Sequence, residues 1–268
     1  MSKVENNPGV SLESRHDIER RFHDSKVTAH LDHHHHHDPD DRSFYSHGGM
    51  DGIWDSYLQS IGPLKDRTVL DFGCGEGWST LQYCKRGAQV YSFDISPESL
   101  HNLLHQAEEC GVASKIRPTV MAAEHLCYPN KTFDLVLGVS ILHHTDVTLV
   151  GKEVARVLKS GGKALFIEPL AHNIFLKVFR LLTPNRRTPT EAPMTVDQIG
   201  EFIRSFQWGE YRGHQLLSIF PQGLFWLTGN ERLFKLFLRV TETVDRWLLR
   251  CFPFLQKYCW AAIIEVRN

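Results

Sequence analysis

The 268-residue sequence has no run of about 20 apolar residues, so a membrane-spanning helix is not expected. It has almost no net charge: 30 Lys and Arg stand against 31 Asp and Glu. It has neither a basic stripe nor an acceptor motif such as N-P-P-Y, so nucleic acid is not an expected partner. None of its six cysteines (Cys74, Cys84, Cys110, Cys127, Cys251 and Cys259) sits in a C-x-x-C pair. Scattered cysteines of this kind are usually reduced core residues. The N-terminal "MSKVENNPGVSLESRHDIERR" is polar and lacks an apolar signal core, so export by that route is not expected. A cytoplasmic location follows as the expectation. There is no internal repeat, and the only low-complexity tract is "DHHHHHDPDD".

At 42% hydrophobic residues, the chain can bury a large core, and one domain with appendages is expected. Residues 1 to about 66 are polar and weakly periodic. From Thr68 onward, strand-like runs (68–72, 88–93, 116–121, 133–140 and 162–169) alternate with helix-like stretches (about 76–86, 97–110 and 148–159). Ser96-Pro97 suits a helix start, and Gly111 suits that helix's end. Gly161-Gly162 follows the next helix. This alternation predicts right-handed βαβ units and a parallel sheet. After Pro169 it stops. A helix over 193–206 and two late strands (210–220 and 258–266) follow, with a long apolar segment at 221–256 between those strands.

"VLDFGCGEGW" (69–78) closes the first strand. A dinucleotide fingerprint wants G-x-G-x-x-G, whose third glycine lets helix and strand pack closely. Here Gly73, Gly75 and Gly77 alternate with Cys74 and Glu76, and Trp78 occupies the place of that third glycine. Asp71 precedes the loop, where a carboxylate would repel a pyrophosphate and attract an ammonium group. Asp94 ends the next strand, where a carboxylate can accept both hydroxyls of a ribose. The pattern suits a cationic nucleoside without phosphate, as S-adenosylmethionine is.

"VLDFGCGEG" resembles the glycine-rich motif of class I S-adenosylmethionine-dependent methyltransferases. "VYSFDIS", "FDLVLGVSILHH" and "EVARVLKSGGKALFIEP" resemble the later motifs of that family, in the same order. The resemblance implies an α/β, Rossmann-like, doubly wound and mostly parallel seven-stranded sheet. It would carry a helical N-terminal lid (1–66), a cofactor-binding core (67–169) and acceptor-side elements with a helical insertion before the last strand (170–268). It implies that Asp71, Gly73, Cys74, Gly75 and Gly77 border the methionine part of the cofactor. Asp94 would hold the ribose and Ile95 would lie against the adenine. Ala123 and Glu124 match the family's Ala-Glu at the adenine edge, although Ala122 stands where the family often has Asp. Gly138 and Val139 would line the donor side. The product would be S-adenosylhomocysteine, and no metal is expected.

Methyl transfer needs acceptor, methyl and sulfur in line, with water kept away. An oxygen or nitrogen acceptor must also lose a proton, and His is the usual base near neutral pH. His143 and His144 after the fourth strand, Glu168 ending the fifth and His172 beyond it are the candidates. In the "LHH" sequence the histidines can equally brace the loop. The run His33 to His37 reads as a solvated loop with opportunistic metal affinity. The segment 43–50 is expected over the pocket, with Tyr45 or His47 near it. Arg186 and Arg187 either contact an anionic acceptor or form a solvated turn.

Within 221–256, Leu233, Phe237, Val240, Val244, Trp247, Leu248 and Cys251 recur at helical spacing. Arg232, Lys235, Arg239, Arg246, Arg250 and Lys257 outnumber Glu231, Glu242 and Asp245. This segment caps the fold, forms a lid over a greasy acceptor, or lies on a membrane as a basic amphipathic helix. The expected partner is a small-molecule or lipid-linked acceptor, methylated at oxygen. Two alternatives remain open: a cofactor-binding protein without transfer activity, and an NAD(P)-dependent oxidoreductase.

Overall fold

A computed structural model describes residues 11–32, 51–182, 188, 190–221, 225 and 228–268. The histidine run, Tyr45, His47, Arg186 and Arg187 lie outside the described residues. Two helices, α1 (Leu12–Asp32) and α2 (Asp51–Ile61), precede the alternating region. That region runs β1 (Thr68–Phe72), α3 (Trp78–Lys85), β2 (Gln89–Asp94), α4 (Pro97–Glu109), β3 (Ile116–Val120), β4 (Phe133–Val139), α5 (Val147–Val157) and β5 (Leu158–Pro169). Then come α6 (Ile174–Leu182), α7 (Val196–Ile203), β6 (Trp208–His214), α8 (Glu231–Cys251) and β7 (Ala261–Arg267).

Local chemistry sets the helix starts. Ser96 caps α4 by accepting the Ser99 N–H at 3.0 Å, with Pro97 in the first turn. Asp146 caps α5 through the N–H groups of Thr148 and Leu149. Thr195 and Gln198 form a reciprocal capping box on α7. The strands form one sheet in the order β3-β2-β1-β4-β5-β7-β6. All neighbours are parallel except β7, which runs antiparallel to both β5 and β6.

Alternate side chains feed two cores, one on each face. Leu70, Phe72, Val136, Phe166 and Ile264 pack with α5 and α7, while Val69, Leu137, Leu165 and Ile263 pack with α2, α3 and α4. The seven-stranded, mostly parallel sheet therefore stands as the sequence predicts. In such a sheet ligands bind beyond the strand C-termini, where the strand order reverses between β1 and β4.

Three local expectations are corrected. The helix expected to reach residue 159 ends at Val157, and β5 starts at Leu158 because Leu158 already pairs with Phe133. Gly161, at φ +75°, therefore turns within the strand instead of ending a helix. The strand expected over 210–220 stops at His214, because Asp245 of α8 takes the N–H groups of Leu216, Leu217 and Ser218 at 3.0, 2.8 and 3.0 Å. Finally, the apolar stripe of α8 does not seal the fold. Only Phe234 and Asp245 of this helix are buried, while Leu233, Phe237, Val240, Val244 and Trp247 are exposed. Among the described residues no helix is long and apolar enough to cross a membrane.

Candidate active site

The loop from β1 to α3 forms the floor of a cavity of about 270 Å³. Cys74 donates its N–H to Phe93 O at 2.9 Å, which ties the loop to β2. Gly75 has φ +51°, and a Cβ added there would meet no atom within 4 Å, so this glycine faces open space in the cavity that it lines. Gly77, at φ +90°, caps α3, and a Cβ there would come within 2.2 Å of Leu103. Trp78 lines the same cavity and packs on Trp54 of α2, with ring centres 4.5 Å apart.

Asp94 is the polar centre of the cavity. Its Oδ2 accepts the Gly75 N–H at 2.8 Å and its Oδ1 accepts the Ser96 N–H at 3.0 Å. Both oxygens keep a further lone pair for a ligand diol. Asp71 is 1% exposed and lies behind the loop, where its Oδ2 accepts the hydroxyls of Ser79 and Thr80. Burial pushes its carboxyl up to about 6, against the effect of the two hydroxyls.

Of the expected cofactor residues, Gly73, Cys74, Gly75, Gly77, Asp94 and Ile95 line the cavity from the first two strands. Ala123, Glu124 and Val139 line it from the later loops. Asp71 and Gly138 do not line it. Gly138 instead lets β4 approach Phe166, whose ring a Cβ would meet at 2.6 Å.

Of the four candidate proton carriers, only His144 lines the cavity. Glu168 is fully buried and accepts the N–H groups of Ile141 and Leu142 on Oε1, at 2.9 and 2.7 Å. Its Oε2 meets His143 Nδ1 at 2.7 Å. It thus holds the loop after β4 and orients the His143 ring. Burial, then the charge of His144, keep His143 below its ordinary pKa, against the pull of Glu168. The two histidine rings lie 4.2 Å apart. His172 is exposed, with its ring 6.5 Å from that of Tyr258, and does not line the cavity.

Sequence reasoning missed the contribution of α1. His16, Glu19 and His23 of this helix all line the cavity. His16 Nε2 lies 3.0 Å from Glu124 Oε2, and the Ser96 hydroxyl donates to Asp24 at 2.6 Å. Glu19 is 5% exposed. Its Oε1 accepts the hydroxyls of Thr188 at 2.7 Å and Thr190 at 2.6 Å. Its Oε2 approaches His144 Nδ1 to 3.1 Å at an angle that makes the contact an ion pair more than a hydrogen bond. Glu191 closes on the other ring nitrogen at 3.5 Å.

Burial alone would raise Glu19, but His144 and the two threonines outweigh it and hold the carboxyl at about 2. Burial alone would lower His144, but Glu19, then Glu191 and Glu168, outweigh it and raise the ring. The signal was present in the spacing His16-x-x-Glu19-x-x-x-His23, which shares one helix face. It stayed hidden because α1 has no apolar stripe to announce a helix.

The electrostatics discriminate between ligands. Glu19, Glu76, Asp94 and Glu124 line the cavity, and no Lys or Arg does so among the described residues. A pyrophosphate would find no guanidinium or ammonium group there and several carboxylates, whereas a cationic nucleoside would find several counter-charges. The open side of Gly75, the Asp94 carboxylate and this acidic lining fit S-adenosylmethionine.

Comparison with known proteins points the same way. A family profile described as "Methyltransferase domain" matches residues 70–166. The ubiquinone biosynthesis O-methyltransferase of Parvibaculum lavamentivorans is 28% identical over 138 residues, 51% of this chain and 51% of that protein. The sarcosine/dimethylglycine N-methyltransferase of Halorhodospira halochloris is 34% identical over 117 residues, 43% of this chain and 41% of that protein. The chain thus aligns with about half the length of the curated relatives it matches. Among solved structures, geranyl diphosphate C-methyltransferase from Streptomyces coelicolor superposes with a TM-score of 0.60 at 14% identity, over 94% of this chain and 97% of that one. Haemonchus contortus phosphoethanolamine N-methyltransferase 2, solved with S-adenosyl-L-methionine, gives 0.62 at 19% identity, over 97% and 61%. These two likenesses establish the fold. The profile covers the same strands that build the acidic, glycine-floored cavity, so residues 70–166 are similar to methyltransferase domains and enclose a site that fits S-adenosylmethionine.

Proposed function

We propose that this chain transfers the methyl group of S-adenosylmethionine to oxygen on a small acceptor of apolar, lipid-like character. The observation that carries the reading is the cavity itself, acidic around a glycine floor, with no Lys or Arg lining it among the described residues. When bound, S-adenosylmethionine supplies an electrophilic methyl group on a sulfonium. The residues of the chain do the rest. Backbone at Gly73 to Gly77 admits the methionine part, Asp94 accepts the ribose hydroxyls, and Ile95 and Met121 give the adenine apolar walls. The α1 helix, strapped down by Glu19 and His16, keeps water from the donor side.

His143, whose ring lies 4.2 Å from that of the cavity-lining His144, is the proton acceptor in this reading. Burial favours its neutral form, and Nδ1–H donation to Glu168 leaves Nε2 as the basic nitrogen. Against burial, His144 is raised by Glu19, which favours its cationic form, and it positions the loop. The apolar character of the acceptor is supported by the exposed apolar side chains of α6 and α8 on the acceptor side. The proposed site of action is cytoplasmic, and peripheral contact of the 221–256 segment with a membrane belongs to the same reading.

A labelled-methyl assay against a lipid extract and a polar metabolite extract tests the proposal. Label should appear in the lipid fraction and depend on His143. Tight S-adenosylhomocysteine binding with no labelled product in either extract would favour a binding protein without transfer, and NAD binding in its place would favour an oxidoreductase.

A further inference from the structure

The exposed surface of α8 divides into sectors that the fold does not use. At about 100° per residue, Phe234 and Asp245 fall on one side of the helix, the side that anchors it. Leu233, Leu236, Phe237, Val240, Val244 and Trp247 form a second, apolar sector roughly 120° away. All six are exposed, Leu236 at 58%, Val240 at 54% and Trp247 at 61%. Arg232, Lys235, Arg239, Arg246 and Arg250 fill the third sector, within roughly 60° of arc. The apolar and basic sectors therefore both face outward, side by side. Arg232, Arg239 and Arg250 have no ion-pair partner among the described residues.

A second exposed apolar face lies on α6, where Ile174 is 65%, Val178 50%, Leu181 79% and Leu182 74% exposed. Asn173 at the start of α6 donates to Tyr258 O at 2.8 Å, and Phe175 meets Phe220 with ring centres 4.4 Å apart. The exposed aromatic rings Trp247, Phe252 and Phe254 follow one another at 6.4 and 6.1 Å along the end of α8 toward Tyr258. Exposed apolar faces of this size on two helices do not belong in water. Neither helix is long and apolar enough to span a bilayer.

We infer that α6 and the apolar sector of α8 seat the protein on an anionic lipid surface, with the basic row of α8 at the headgroups. Charge complementarity selects this occupant. The chain as a whole carries a net charge of −1, yet these five cations are gathered on one outward flank of an exposed apolar helix. Trp247 and Tyr258 suit the headgroup boundary, where one end of a ring is wet and the other apolar. The inference rests on the proposed peripheral contact and identifies its surface and its lipid. It does not require methyl transfer.

Flotation of the full chain with phosphatidylcholine vesicles, with and without phosphatidylglycerol, tests it. S-adenosylhomocysteine binding is measured on every variant to separate its outcome from that of the cofactor site. The chain should float with the anionic vesicles, and added salt should weaken binding. The triple change Arg239→Glu, Arg246→Glu and Arg250→Glu should lower partitioning on the order of 100-fold. Val240→Glu with Trp247→Glu should abolish it. Both variants should bind S-adenosylhomocysteine as the parent does. Absence of flotation with either vesicle overturns the inference. Equal binding to neutral vesicles, unmoved by the arginine changes, overturns it as well. So does a stable dimer by light scattering that Val240→Glu with Trp247→Glu dissociates, because a second copy would then cover the face.

Discussion

Replacing Asp94 with Ala removes the carboxylate that joins the glycine loop to the start of α4. In the parent, Oδ2 holds Gly75 N at 2.8 Å and Oδ1 holds Ser96 N at 3.0 Å, so the acceptor geometry is set before any ligand arrives. Two ribose hydroxyls donating to a carboxylate contribute about 1.5–3 kcal/mol each when the acceptor is charged. Water reaching the vacated space recovers part of this, which leaves a net loss of about 3 kcal/mol, or ~100-fold in Kd. Titration calorimetry with S-adenosylhomocysteine reads the change directly. Asp94→Asn, which retains one oxygen and the shape, should fall between Ala and the parent. A Kd for the Ala variant within about threefold of the parent, in a protein with an unchanged melting temperature, would refute the ribose role of Asp94 and with it the reading of the cavity.

The Glu19–His144 pair should leave a signature in stability against pH. Glu19 is depressed from 4.5 to about 2, so its contribution is present above pH 4.5 and lost as pH falls toward 2. His144 is raised from 6.5, so its contribution is present below pH 6.5 and lost as pH rises through the raised value. The melting-temperature gap between the parent and Glu19→Gln should therefore be widest between pH 4.5 and 6.5, and a gap independent of pH would refute the pairing. Gly75→Ala should lower stability by only about 1–2 kcal/mol while abolishing cofactor binding, whereas Gly77→Ala, which drives a Cβ into Leu103, should destabilise more. Urea denaturation and calorimetry on the two variants separate these effects. Asp245→Ala leaves three backbone N–H groups without their acceptor and should cost about 2–4 kcal/mol in a urea melt. His143→Gln should abolish transfer while leaving S-adenosylhomocysteine affinity within about threefold, and equal transfer rates would exclude His143 as the base.

Much of the cofactor side was legible because it depends on local chemistry. Strand runs buried on both faces, the Ser96-Pro97 start and the alternating glycines each act within a few residues, and the chain shows them directly. Asp71 and Asp94 illustrate the limit. Both close a strand, yet one is sealed behind the loop by two hydroxyls and the other opens on the cavity. Spacing cannot separate them, because the difference lies in which side of the loop each strand end faces. Glu168 and His143 were legible as side chains at the ends of β5 and β4, but their hydrogen bond to one another depends on how β4 and β5 align.

The sequence by itself determined the sheet, the place of the glycine loop and the acidic character around it, since periodicity, glycine freedom and the sign of nearby charge are properties of short stretches. Only the tertiary structure decided that α1 closes the cavity through His16 and Glu19, because those contacts join residues more than 100 positions apart and leave no periodic trace. It also decided which sector of α8 faces the protein. A helix with three distinct faces can dock by any of them, and here the carboxylate of Asp245, satisfied by three backbone N–H groups, made the choice and left the apolar stripe outside.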